Sequence, residues 1–184
     1  MTSIHVLILL WVLTAAGFFI GRSKAFVVCS GIGGPNALHS RPFYYGALTS
    51  IWCAVPALIV FSFWLFFKST IIMDLVMADL PEHIRSLPEN RLNLVVNDIR
   101  NLVSGNIASN EISPVIQVAV DHYKSLEMIT QAALGVIITA MSMVAIAGVC
   151  LKITPTLRAR NHVEQVVEIL PIAFATLAVF TPLG

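Results

Sequence analysis

His83, Asp121 and His122 are the side chains whose types suit acid and base chemistry, and Asp121 and His122 are adjacent. Such chemistry needs a nucleophile, a base and an orienting partner within hydrogen-bond reach. Spacing assembles no such set, because neighbours on a helix point in different directions, and the pair reads as solvated surface residues. Metal chemistry would need ligands at close spacing. The histidines (His5, His39, His83, His122, His162) never fall three or four apart, and Cys29, Cys53 and Cys150 are too few and too scattered for a disulfide framework. The cysteines therefore read as small apolar residues. Gly31, Gly33, Gly34 and Pro35 superficially suggest a phosphate cradle, but no Lys-Ser/Thr follows and no alternating strand precedes them. Hence no catalytic, cofactor-binding or metal-binding residue is assigned, no cofactor is expected, and the substrate-binding residues stay unassigned.

The elements that would position any site belong in a bilayer. The chain is 57% hydrophobic and 11% charged, with mean hydropathy +0.85, far from the roughly 25% charged residues of soluble domains. A net charge of +1 excludes a broad polybasic surface, so nucleic acid is not an expected partner. Residues 4–21 are uncharged and end at Arg22 and Lys24. With the charges after the apolar run and none before it, the run reads as a retained first span and not as a signal peptide. Residues 25–42, with their glycines and Pro35, read as a connector. Tyr44 to Phe67 is a second uncharged run with aromatic residues near both ends, as an interfacial belt would have, and Pro56 at its middle is expected to kink it.

Residues 69–127 change character, carrying eight acids between Asp74 and Glu127 against the four cations Arg85, Arg91, Arg100 and Lys124. Leu92, Val95, Val96, Ile99, Leu102 and Val103 fall at helical spacing, with Gly105 as a stop. A second amphipathic helix is expected from Ser113-Pro114, where Ser can cap and Pro can fill the first turn. Met128 to Leu151 is a third apolar run, rich in Ala and Gly, whose Gln131, Thr139 and Ser142 are expected to hydrogen-bond between helices.

Residues 151–170, LKITPTLRARNHVEQVVEIL, place Lys152, Arg158 and Arg160 before the final apolar run, 169–184. That run is about 24 Å as an ideal helix and lacks a polar flank, so it reads as a truncated fourth span. The loops holding Arg22, Lys24 and Arg41, and Lys152, Arg158 and Arg160, are free of acids, which puts both in the cytoplasm. The expected fold is an all-α membrane protein of about four transmembrane helices with a small helical extracytoplasmic insert between helices 2 and 3. Its divisions are 1–68 (two helices and connector), 69–127 (insert) and 128–184 (two helices and basic loop).

Three stretches carry a resemblance: GRSKA after the first helix, LHSRPFYYGALTSIWCAVPAL entering the second, and ITPTLRARNHVEQVVEILPIAFATLAVFTPLG at the end. Together, in this order around a helical insert, they resemble the N-terminal region of PstC-type permease subunits of bacterial phosphate ABC transporters. The resemblance implies a multi-pass protein of the bacterial inner membrane that assists phosphate import with a second permease subunit, ATPase subunits and a periplasmic phosphate-binding protein. The family's core permease domain and its coupling segment lie beyond the matched region, so no site residue is transferred. ATP hydrolysis would reside in a separate subunit, as no Walker-type sequence is present, and the chain itself reads as no enzyme. The alternative is a membrane sensor or scaffold that uses 69–127 to bind a ligand or partner.

Overall fold

The computed structural model describes residues 3–31, 40–105 and 114–180. Among these the chain forms six helices and no strand: α1 (Ser3–Ser30), α2 (Pro42–Ala78), α3 (Glu82–Arg85), α4 (Glu89–Val103), α5 (Pro114–Lys152) and α6 (Ala159–Phe180). α1, α2 and α5, of 28, 37 and 39 residues, are each long and apolar enough to cross a membrane. A hydrocarbon core about 30 Å thick needs roughly 20 helical residues. At 1.5 Å per residue α2 and α5 run to about 55 and 58 Å, so each has about 25 Å of helix to spare. The described part of the fourth expected span, residues 169–180, is the second half of α6 and measures about 18 Å by the same rise.

Helices outrun the apolar stretches that announce them. α1 continues past Arg22 and Lys24 to Ser30, where a connector was expected from residue 25. Those charges do not break it because they lie on the exposed side, while Ala25 and Cys29 keep the buried side apolar. The loop residues Gly33, Gly34 and Pro35, with His39, lie outside the described residues. α2 likewise runs through Lys68 to Ala78 and is helical on both sides of Pro56. α5 begins at Pro114, as the proline signal implies, and then joins the amphipathic stretch to the apolar run at Met128 without interruption. The cap expected at Ser113 falls outside the described residues. The physical reason is one stripe at spacings of three and four, Val120, Tyr123, Glu127, Gln131, Leu134, Ile138 and Ser142, which stays at least half-buried through both halves of the helix.

The chain divides into two compact units, one of Met1–Val6 and Val60–Val136, the other of Leu7–Ile59 and Ile137–Gly184. In the first, the ends of α2 and α5 that exceed a bilayer hold α4 between them. Ile99 of α4 is fully buried against Ile72, Met73 and Val76 of α2 and Ala119, Val120 and Tyr123 of α5. Val95, Val96, Leu102 and Val103 complete the contact, so the stripe read from the sequence is the packed face. Gly105 terminates α4 with φ +80°, a backbone state that glycine reaches without a Cβ clash. Lys68 Nζ sits 2.9 Å from Glu127 Oε1, tying α2 to α5 where both apolar runs give way to polar sequence.

In the second unit α1, α2, α5 and α6 share one core. Ala25 and Cys29 of α1, Tyr45 and Leu48 of α2, Val149 of α5, Ile153, and Ala159 and Val163 of α6 are buried together. α1 approaches α2 through glycine. A Cβ at Gly21 would collide with the Thr49 side chain and stand 2.9 Å from the Tyr45 carbonyl, and one at Gly46 would stand 2.8 Å from the Phe18 carbonyl. Such small-residue contacts let helix backbones approach where the hydrophobic effect gives no drive between them. Ser50 Oγ, donating to the Thr14 carbonyl at 3.1 Å, adds a hydrogen bond across the same interface.

Candidate functional site

The segment entering α2 and the segment entering α6, both singled out in the sequence, meet in the second unit. Tyr45 lies in the first turn of α2 with its ring fully buried, which leaves its hydroxyl in need of a partner. That hydroxyl donates to the Leu157 carbonyl at 3.0 Å and lies 3.4 Å from the Thr154 carbonyl. One O–H has one proton, so the shorter contact takes it. Both acceptors belong to the turn that joins α5 to α6, where backbone N–H groups also serve them, Leu157 on the Thr154 carbonyl at 3.1 Å and Ala159 on the Leu157 carbonyl at 2.9 Å, so Tyr45 ties α2 to a turn that is already closed on itself.

The second contact runs from α6 back to the start of α2. The Arg160 backbone N–H, one of the orphan donors at a helix N-terminus, donates to Ser40 Oγ at 3.3 Å. The Arg160 guanidinium lies 6.0 Å from the centre of the Tyr44 ring, at the limit of a cation–π contact, and its Nε donates to Glu164 Oε1 at 2.6 Å. The hydrogen bond from Arg160 to Glu164 holds the guanidinium pKa above its usual range, so the group stays cationic. Arg22, Lys24, Arg41, Lys152 and Arg158 are all exposed. Chemically the junction is a clasp with a cationic surface: it fixes the α5–α6 turn against α2 and leaves charge outside.

The residues weighed for catalysis do not converge. His83 on α3 and Asp121 on α5 are exposed. His122 instead faces Asp79, just past the end of α2, with Nε2 3.6 Å from Oδ2, a pairing that a separation of 43 positions conceals in the sequence. Among the described residues no group of three or more His, Cys, Asp or Glu side chains is placed to hold a metal. The hydrogen bonds between helices expected of Gln131 and Ser142 are not found among the described residues. Gln131 Nε2 is 3.4 Å from Glu127 Oε1 one turn back on the same helix, and Ser142 Oγ is buried without a hydrogen bond. The reason is geometric, since positions four apart on one helix are already neighbours.

Sequence reading missed two parts of this site. The aromatic run entering α2 reads as an interfacial belt, yet Tyr45 is buried while its neighbour Tyr44 is half-exposed. The clasp's support on α1 was also missed, although its signal is present as small residues every fourth position: Gly17, Gly21, Ala25 and Cys29, of which all are buried.

The family described as a phosphate ATP-binding cassette transporter matches residues 7–181. No curated protein and no solved structure matches the chain. The match takes in all of α2 to α6 and both segments that form the clasp, so the chain belongs to the phosphate ATP-binding cassette transporter family and is a membrane protein of it.

Proposed function

We propose that this chain is the N-terminal membrane part of a phosphate importer's permease, assisting translocation across the bacterial inner membrane. The observation that carries this reading is the clasp. Tyr45 to Leu157 and Ser40 to Arg160 join two of the three segments by which the sequence resembles PstC-type permeases, so those two act as one structural device. A fixed α5–α6 turn sets the direction in which α6 leaves, and with it the place of whatever packs on α6. In this reading α6 is the fourth span, 69–127 is an extracytoplasmic helical insert, and the basic segments lie in the cytoplasm.

The partners are a second permease subunit, two ATPase subunits and a periplasmic phosphate-binding protein, with ATP hydrolysis in the ATPase subunits and no catalysis in this chain. The family match supports the class of partner. The reading is tested by affinity purification from membranes of cells grown under phosphate limitation, using a tag on this chain. Recovery of ATPase and permease subunits, together with loss of phosphate uptake when the coding segment is deleted, is the expected result. Intact uptake after deletion, with no transporter subunit recovered, would overturn it.

A further inference from the structure

We propose that a cleft between α2, α5 and the start of α6 is a binding site for an anionic phospholipid, with one acyl chain in the cleft and the headgroup phosphate at its rim. The cleft holds about 300 Å³, at the small end of the usual range for ligand pockets, and lies wholly within the second unit. Its walls are apolar, from Leu48 and Trp52 of α2 and Ala145 and Gly148 of α5. Its polar groups gather at one end, where Lys152 ends α5 and His162 stands in the first turn of α6.

Three features fit this occupant. Gly148 is exposed to the cleft, and a Cβ built on it meets nothing within 4 Å, so the space beside it is open along the helix. Trp52 lies at the wall with 56% of its surface exposed, a large apolar face on a helix long and apolar enough to cross a membrane. The rim supplies a flexible ammonium and an imidazole that can donate to phosphate oxygens, and the nearest acids in α6, Glu164 and Glu168, are not among the residues that line it. An uncharged lipid would fill the apolar walls equally well but would leave Lys152 unmatched. Basic pockets between membrane helices select anionic headgroups for this reason.

The test is native mass spectrometry of the full chain purified in a mild detergent. Phosphatidylglycerol and phosphatidylcholine are added separately at equal concentration, and bound lipid is counted. One retained phosphatidylglycerol, at least fivefold more abundant than retained phosphatidylcholine, is the expected result. Gly148→Leu starts from a Cβ that meets nothing within 4 Å and extends into the cleft, so it is expected to unfold at the unaltered chain's temperature while losing the retained lipid. Lys152→Gln is expected to reduce the preference for phosphatidylglycerol to less than twofold. Equal retention of both lipids, retention that survives Gly148→Leu, or a mass of two chains whose association Gly148→Leu abolishes would overturn the proposal; the last would identify a second copy as the occupant. None of these readouts depends on phosphate uptake, so failure here is distinct from failure of the transporter reading.

Discussion

The junction depends on single atoms, and Tyr45 is the clearest case. Its ring is fully buried, yet its hydroxyl serves the Leu157 carbonyl at 3.0 Å. Tyr45→Phe keeps the ring and removes the donor, which takes from the Leu157 carbonyl one of its two hydrogen bonds, the other coming from the Ala159 N–H at 2.9 Å. The expected loss is about 0.5–1.5 kcal/mol, that of one net hydrogen bond. It would be read as a lowered unfolding temperature in detergent, and an unchanged one would show that water serves the turn equally well. Gly21 and Gly148 make a second contrast at the same scale. A methyl group at Gly21 collides with Thr49 and the Tyr45 carbonyl, whereas one at Gly148 meets nothing. Gly21→Ala is therefore expected to destabilise by about 1–3 kcal/mol, as overpacking does. Gly148→Ala is expected to be neutral or to stabilise by up to about 1 kcal/mol through helix propensity. Equal effects from the two would mean that α1 and α2 do not meet as described.

At the scale of elements, α4 is a 15-residue amphipathic helix held by packing on α2 and α5. Ile99 is its only fully buried residue among those described, and it touches both supporting helices through one cluster. Ile99→Ala is expected to cost about 2–4 kcal/mol, within the range for large-to-small core changes. The cost should fall on α4, so that its amides exchange hydrogen faster while those of the middle of α5 do not. Uniform acceleration would show that the unit unfolds only as a whole. The face of α4 was legible because a solvated helix shows its packing as a 3.6-residue stripe, from Leu92 through Val103. The lengths of α1, α2 and α5 were not legible, because hydropathy reports where lipid is, whereas a helix continues wherever backbone bonds and one packed face continue. Lys68 and Asp74 end the apolar run of α2, yet Ile72, Met73 and Val76 sustain its buried face for another ten residues. The clasp was legible only as two motifs. The contact between Ser40 and Arg160 spans 120 positions, and nothing local in either segment specifies the other.

For the whole molecule, the distribution of charge sets the orientation expected in the bilayer. Of the ten acidic residues in the chain, Glu164 and Glu168 are the two outside 69–127, and Arg160 pairs with Glu164. The ends of α1 and α5 that carry Arg22, Lys24 and Lys152 are thus free of nearby acids, with Arg41, Arg158 and Arg160 on the segments that follow. Each such cation near an anionic leaflet contributes about 1 kcal/mol toward keeping its segment on that side. The acid-rich segment with α4 has no comparable restraint and is expected on the opposite side. Single cysteines test this in a chain whose Cys29, Cys53 and Cys150 have been replaced by alanine, since the first two are buried and contribute apolar packing that alanine partly keeps. Arg100→Cys, on the exposed face of α4, is expected to react with a membrane-impermeant maleimide in intact spheroplasts. Arg158→Cys, at the exposed start of α6, is expected to react only after permeabilisation. Labelling of position 158 from outside would reverse the orientation and move the cationic surface of the clasp to the extracytoplasmic face. Labelling of both positions from outside would mean that an even number of crossings separates them, which α5 as the one span between them does not allow.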